Sequence, residues 1–126
     1  MNKYSAKKVK FDGKIFDSRK EAKRYAELRL LERAGQIRNL ELQKRFELIP
    51  AQYEKTNEVY LRGDKKGEPK QGRCIEQSVV YVADFCYIEN GKQVVEDTKS
   101  SATKTKDYII KRKLMLYLKG IRIREV

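Results

Sequence analysis

The sequence has 126 residues, with 30 lysines and arginines against 18 aspartates and glutamates, so its formal charge is +12. That length suits one soluble domain with a single modest core, and the content of Val, Ile, Leu and Tyr is too high for a disordered tail. Two cysteines, Cys74 and Cys86, with no histidine anywhere exclude a Cys/His zinc site and histidine-based catalysis. No stretch approaches the ~20 apolar residues of a membrane span, and Met1, Asn2, Lys3, Tyr4 open no secretory signal, so the expected address is the cytoplasm. The basic balance points to a polyanionic partner, nucleic acid first.

Residues 1–14 read as a basic N-terminal arm carrying Lys3, Lys7, Lys8, Lys10 and Lys14, with a short hairpin turning at Asp12-Gly13. Ser18 then caps a helix over about 18–34 whose Glu21 stands at the reciprocal capping-box position, with Gly35 as its stop. Leu40, Leu42, Phe46 and Leu48 alternate through a strand or bent strand pair ending at Pro50. Residues 53–77 read as a mobile, charged insertion, because 62–72 gathers three of the seven glycines and one of the two prolines. The strongest hairpin signal follows: two β-branched runs, 79–88 and 93–99, meet at Asn90-Gly91. A polar loop leads to a helix over about 105–119, with Ile110, Leu114, Tyr117 and Leu118 as its core stripe, and 121–126 forms a last alternating strand. Tyr81, Tyr87 and Tyr117 are expected in the core. The order predicts an α/β (α+β) domain, a mixed central sheet flanked by helices.

If Asn90 and Gly91 are the two loop residues, every cross-strand pair sums to 181 and Asp84 falls opposite Asp97, in a non-hydrogen-bonded pair where side chains are closest. At ~5 Å and an effective dielectric of ~20, two such charges repel by roughly 3 kcal/mol, so a cation must compensate. Lys99 shares the face of Asp97 by the period of two, and a divalent metal held by carboxylates, water and phosphate would complete the neutralisation. The alternative is an ion cluster with no metal. Glu21 either serves its helix as a cap or points at the two aspartates. Glu96 should face the opposite side of the sheet.

These residues resemble the PD-(D/E)XK nuclease superfamily: a helix glutamate (Glu21), a strand aspartate (Asp84 in Tyr81-Val82-Ala83-Asp84-Phe85), and acid-x-lysine on the next strand (Asp97-Thr98-Lys99). More closely, Phe16-Asp17-Ser18-Arg19-Lys20-Glu21, Leu40-Glu41-Leu42-Gln43 and 81–85 resemble a family of small phage-encoded proteins of unassigned function, placed in that superfamily near Holliday-junction resolvases. The proline of the superfamily's name is absent, with Ala83 before Asp84.

The resemblance implies a restriction-endonuclease-like αβββαβ core and an Mg²⁺-dependent endodeoxyribonuclease, with Mn²⁺ able to substitute, acting on branched DNA or recombination intermediates. It implies that Asp84, Asp97, the Thr98 carbonyl and Glu21 serve the metal, and that Lys99 positions water or stabilises the phosphorane. Lys104 and Lys106 in the loop, with Lys111 and Arg112 on the second helix, are expected to hold DNA phosphates, or else form a solvated surface. Gln43 either lines the site or sits on an exposed strand face. Paired cuts at a junction would call for a homodimer. The competing readings are a non-catalytic DNA-binding or accessory protein on the same fold, and a basic RNA-binding structural protein.

Overall fold

The structure is a computed structural model describing residues 8–126; Lys3 and Lys7 of the expected basic arm lie outside the described residues. The chain opens with a hairpin, β1 (Val9–Phe11) and β2 (Lys14–Phe16), whose turn residues Asp12 and Gly13 both have positive φ. Helix α1 (Arg19–Arg33) starts where the Ser18 hydroxyl accepts the Glu21 N–H at 3.1 Å. It ends before Gly35, which takes a left-handed φ of +77°.

Four strands form the central sheet, β3 (Arg38–Ile49), β6 (Val79–Glu89), β7 (Lys92–Asp97) and β8 (Arg124–Glu125), neighbours in that order. β6 and β7 are antiparallel around the Asn90-Gly91 turn, whereas β7 and β8 run parallel, so the sheet is mixed. Their connection is helix α2 (Lys106–Lys119), capped by Thr105 and stopped by Gly120 at φ +67°. The β6–β7 register is the expected one: Glu89 meets Lys92 and Phe85 meets Glu96.

The apolar stripe of α1, Ala22, Tyr25 and Leu28, packs with Phe16, Ile37, Phe85 and Tyr87. Leu28 and Phe85 are fully buried, each worth about 2–3 kcal/mol of hydrophobic burial. Glu96 faces this helix: Arg24 on α1 grips both its carboxylate oxygens at 2.7 Å, and the Tyr87 hydroxyl donates to it. Leu40 and Leu42 border the same cluster, whereas Phe46 stacks on Tyr81, which meets Tyr108 of α2 at a tilt of 46°. Between them Gln43 has a φ of +53°, a left-handed residue within β3, whose alternation of covered and exposed positions continues through it.

The core stripe expected for α2 is corrected. Tyr108 and Met115 are its buried residues, while Ile110, Tyr117 and Leu118 stay exposed, Tyr117 at 86%. Polar anchors choose the face: the Tyr108 ring lies beneath the Lys99 ammonium at 4.3 Å, and its hydroxyl donates to Glu125 at 2.6 Å.

By internal contacts the described chain divides in two, the residues up to Phe46 with Tyr81–Val126 forming one unit and Glu47–Val80 the other. The second unit, expected as a mobile loop over 53–77, is a hydrogen-bonded arm. β4 (Gln52–Tyr53) pairs antiparallel with β5 (Cys74–Glu76), and a bridge links Val59 and Pro69 further out. Among the described residues no helix is long and apolar enough to cross a membrane.

Candidate functional site

The register of the Asn90-Gly91 hairpin carries the two aspartates to one place. Asp97 is 2% exposed: its Oδ1 accepts the backbone N–H of Asp84 at 3.1 Å, and its Oδ2 accepts the Tyr81 hydroxyl. Asp84 is half-buried, and its Oδ2 accepts the N–H and the hydroxyl of Thr98 at 3.0 and 2.7 Å. These crossed bonds tie the backbone of each strand, at Asp84 within β6 and at Thr98 just past β7, to the other strand's acid, one step beyond the final ladder pair of Phe85 and Glu96.

Lys99 stands beside the pair, its Nζ 3.8 Å from Asp97 Oδ2 and its side chain 19% exposed. The Tyr108 ring steers that ammonium by cation–π attraction. Its backbone is fixed too, since the Lys99 N–H donates to the Val126 carbonyl at 3.0 Å and the Lys99 carbonyl accepts from Lys20 Nζ at 2.7 Å.

Glu21 completes the group from the first turn of α1. It is 5% exposed and accepts from Gln43 Nε2 at 3.4 Å, so the left-handed kink at Gln43 delivers that side chain to the site acid. Burial, then the charges of Asp84 and Asp17, raise the Glu21 carboxyl to about 7, and Asp97 adds to the rise. A cap on an isolated helix would feel none of the strand charges, so the Glu21 carboxyl, besides a backbone hydrogen bond at Asp17 that favours its charged form, also lies in the field of the acidic centre. Asp97 is raised for the same kind of reason, burial first and the Asp84 charge second, with the Tyr81 hydroxyl and Lys99 pulling the other way.

Among the described residues no three His, Cys, Asp or Glu side chains gather closely enough to hold one ion by themselves. Mg²⁺ asks for less. It is held by one or two carboxylates and keeps several waters or phosphate oxygens; Asp84, half-buried and bonded to Thr98 through Oδ2, could supply such a ligand, and Asp97 could do so by giving up one of its bonds from Tyr81 or the Asp84 N–H. Burial first, and the charge of Asp84 second, raise the Glu21 and Asp97 carboxyls, and a divalent cation would relieve the second of these.

Two residues at this centre have no site role in the sequence reading: Tyr81, expected only as core, and Tyr108. A tyrosine rather than phenylalanine three positions before Asp84 was the available signal, because a buried hydroxyl requires a partner. Beside Thr98 lies a cleft of 180 Å³ lined by Lys20, Lys23, Arg24, Glu27 and Val126, a cationic wall next to the acids.

The residues expected to hold DNA divide into two kinds. Lys104 and Arg112 both pair with Glu125, at 3.2 and 3.1 Å, whereas Lys106 and Lys111 carry no ion pair among the described residues. The Tyr108 hydroxyl, then Lys104 and Arg112, pull the Glu125 carboxyl down from 4.5 to about 2. A depressed acid stabilises the fold above its ordinary pKa and loses that contribution as pH falls from about 4.5 toward 2. Glu125→Gln is therefore expected to lower stability at neutral pH by about 1 kcal/mol, after solvent screening, and to flatten the acid limb of a thermal-unfolding series. An unchanged acid limb would show that Glu125 does not anchor this corner.

The family model described as protein of unknown function (DUF1064) matches residues 1–124. The chain belongs to that family. The DUF1064 match takes in every site residue described above from Glu21 to Arg112. No curated protein and no solved structure matches the chain.

Proposed function

We propose that this protein is a metal-dependent DNA endonuclease, hydrolysing phosphodiester bonds in branched DNA or recombination intermediates, on a restriction-endonuclease-like core. The observation that carries this reading is the convergence of Asp84, Asp97 and Lys99 at the open end of one hairpin, with Glu21 brought within their field by α1. The order helix, three strands, helix, strand, with a mixed sheet ordered β3-β6-β7-β8, supports the same core.

Asp84 and Asp97 with the Thr98 carbonyl would hold Mg²⁺, or Mn²⁺ in its place. When bound there, the metal supplies a Lewis acid for the scissile phosphate and lowers the pKa of the attacking water. The chain's own groups do the rest. Lys99 would orient that water or meet charge developing on phosphorus, a role supported by its Nζ lying 3.8 Å from Asp97 and 4.3 Å from the centre of the Tyr108 ring. Glu21, with a carboxyl near 7, can hold or take a proton beside them. Lys20 and Lys23 line the cleft at Thr98, where a neighbouring phosphate would meet positive charge.

A second reading, a DNA-binding protein without cleavage, draws on one fact: Asp97 is almost fully buried, with both carboxylate oxygens already engaged by protein donors. Cleavage of labelled four-way junction, flap and linear duplex DNA, with Mg²⁺, Mn²⁺ or chelator, separates the two. Cutting that requires the metal and stops on chelation is expected, and symmetric cuts confined to the junction would make the enzyme a resolvase working as a homodimer. Binding without cutting under every metal condition would establish the second reading.

A further inference from the structure

The arm formed by residues 52–76 has no role in the chemistry above, and its construction is unlike that of a surface loop. Past β4 and β5 its two strands remain tied: Glu54 N–H to Arg73 O at 2.8 Å, Lys70 N–H to Glu58 O at 2.9 Å, and Tyr60 N–H to Glu68 O at 3.0 Å. They approach so closely at Gly72 that a Cβ there would collide with the carbonyl oxygen of Glu54. The tip is closed by Gly67 N–H on the Tyr60 carbonyl at 2.8 Å, with Gly63 and Gly67 at φ of +82° and +87°. Eight residue steps separate Tyr53 from Leu61, so the ribbon extends for roughly 25 Å.

This length does not build a core. No residue from 51 to 80 is buried, and Val59, Leu61 and Ile75 are exposed at 42%, 76% and 57%. A two-stranded ribbon without a packed face is marginal by itself, which makes a partner the natural reason for its geometry. The tip leans basic: Arg62, Lys65 and Lys66 stand against Asp64 and Glu68, and none of the three cations has an ion pair among the described residues. Tyr60 sits between Lys65 and Lys70, whose ammoniums lie 5.8 and 5.9 Å from its ring centre, which directs Lys65 among the tip cations.

We propose that this arm is a DNA-reading element whose tip enters a groove of duplex DNA, Arg62, Lys65 and Lys66 meeting the flanking phosphates and Leu61 meeting base edges. The proposal rests on the DNA substrate proposed above. A ribbon two strands wide matches a major groove about 12 Å across, and an apolar side chain such as leucine is the kind that contacts a thymine methyl or wedges at a base step. The cations supply the sequence-independent part of the affinity; Leu61 supplies contact with the bases.

The test compares full-length wild type, Arg62→Ser/Lys65→Ser/Lys66→Ser, Leu61→Ser and Gly72→Val on labelled linear duplex and four-way junction. Anisotropy is followed through a salt titration, with the oligomeric state measured alongside. The triple variant should bind about 10- to 100-fold more weakly, with a salt slope reduced by roughly two to three, since each lost phosphate contact removes about 0.9. Leu61→Ser should weaken duplex binding about fivefold with an unchanged slope. Gly72→Val should weaken binding although no tip side chain changes. Wild-type affinity and slope in the triple variant, while wild type binds DNA, would overturn the proposal and leave the nuclease reading standing. A tip variant that changed only the oligomeric state would overturn it in favour of a protein partner. Absence of DNA binding by wild type would remove both readings together.

Discussion

Asp97→Asn is expected to reduce metal-dependent DNA cleavage by about a thousandfold or more, roughly 4 kcal/mol of barrier, while DNA affinity stays the same or rises. The substitution keeps the side chain's shape and one oxygen for the Asp84 N–H, places its NH2 toward the Tyr81 hydroxyl, which can turn to accept, and removes the charge that would hold the metal. Stability should move the other way. Burial and the Asp84 charge raise the Asp97 carboxyl above the ordinary aspartate range, so the folded protein holds that proton more tightly than the unfolded chain does. Such a group stabilises the fold below its unfolded pKa, and the contribution disappears as pH rises through the folded value. Glu21 acts in the same sense between about 4.5 and 7. Asn cannot ionise, so the variant should match wild type near pH 4 and melt at a higher temperature than wild type near pH 8. Mg²⁺ added near pH 8 should raise the melting temperature of wild type and leave that of the variant unchanged. Cleavage by Asp97→Asn at the wild-type rate would remove the site assignment, and equal stabilisation of both proteins by Mg²⁺ would remove the metal from it.

Local chemistry with one geometric solution was legible in the sequence. Asn-Gly between β-branched runs allows one tight turn, and that turn sets a register which places Asp84 against Asp97 without any knowledge of the remaining fold. Ser18 and Gly35 bracketed α1 for a similar reason, each satisfying helix ends that few other residues satisfy as well. Where two solutions exist, periodicity cannot choose. The sequence of α2 offers an apolar stripe at Ile110, Leu114, Tyr117 and Leu118, yet the helix buries Tyr108 and Met115 because Glu125 and Lys99, both distant in sequence from Tyr108, provide its partners. The arm was hidden for another reason. Its strands are held by backbone bonds and a close approach at Gly72, neither of which needs alternating apolar residues, so composition alone suggested a loop. Gln43 was noticed as a polar residue in an apolar alternation, but its positive φ, which aims it at Glu21, is a product of tertiary context.

Arg24→Ala is expected to destabilise the fold by about 3–5 kcal/mol, the largest stability effect of any single substitution outside the apolar core. Glu96 is fully buried, and Arg24 supplies two of its hydrogen bonds at 2.7 Å; the Tyr87 hydroxyl gives another and is itself held by Arg124 at 3.1 Å. Removing Arg24 leaves a carboxylate in the interior with one neutral donor, the situation in which burying charge costs most. The paired substitution Arg24→Met/Glu96→Met removes both charges and should recover most of the loss, because a buried ion pair replaced by apolar groups of similar volume is often close to neutral. Urea unfolding of the two variants measures the difference, and a loss below about 1 kcal/mol for Arg24→Ala would show that Glu96 finds other compensation. The pair also bears on the site. Glu96 precedes Asp97 on β7 and points to the opposite face, so the grip of α1 on Glu96 holds the strand end that carries Asp97. In the paired variant the fold should therefore survive while cleavage falls, since Asp97 loses the anchor next to it but none of its own partners.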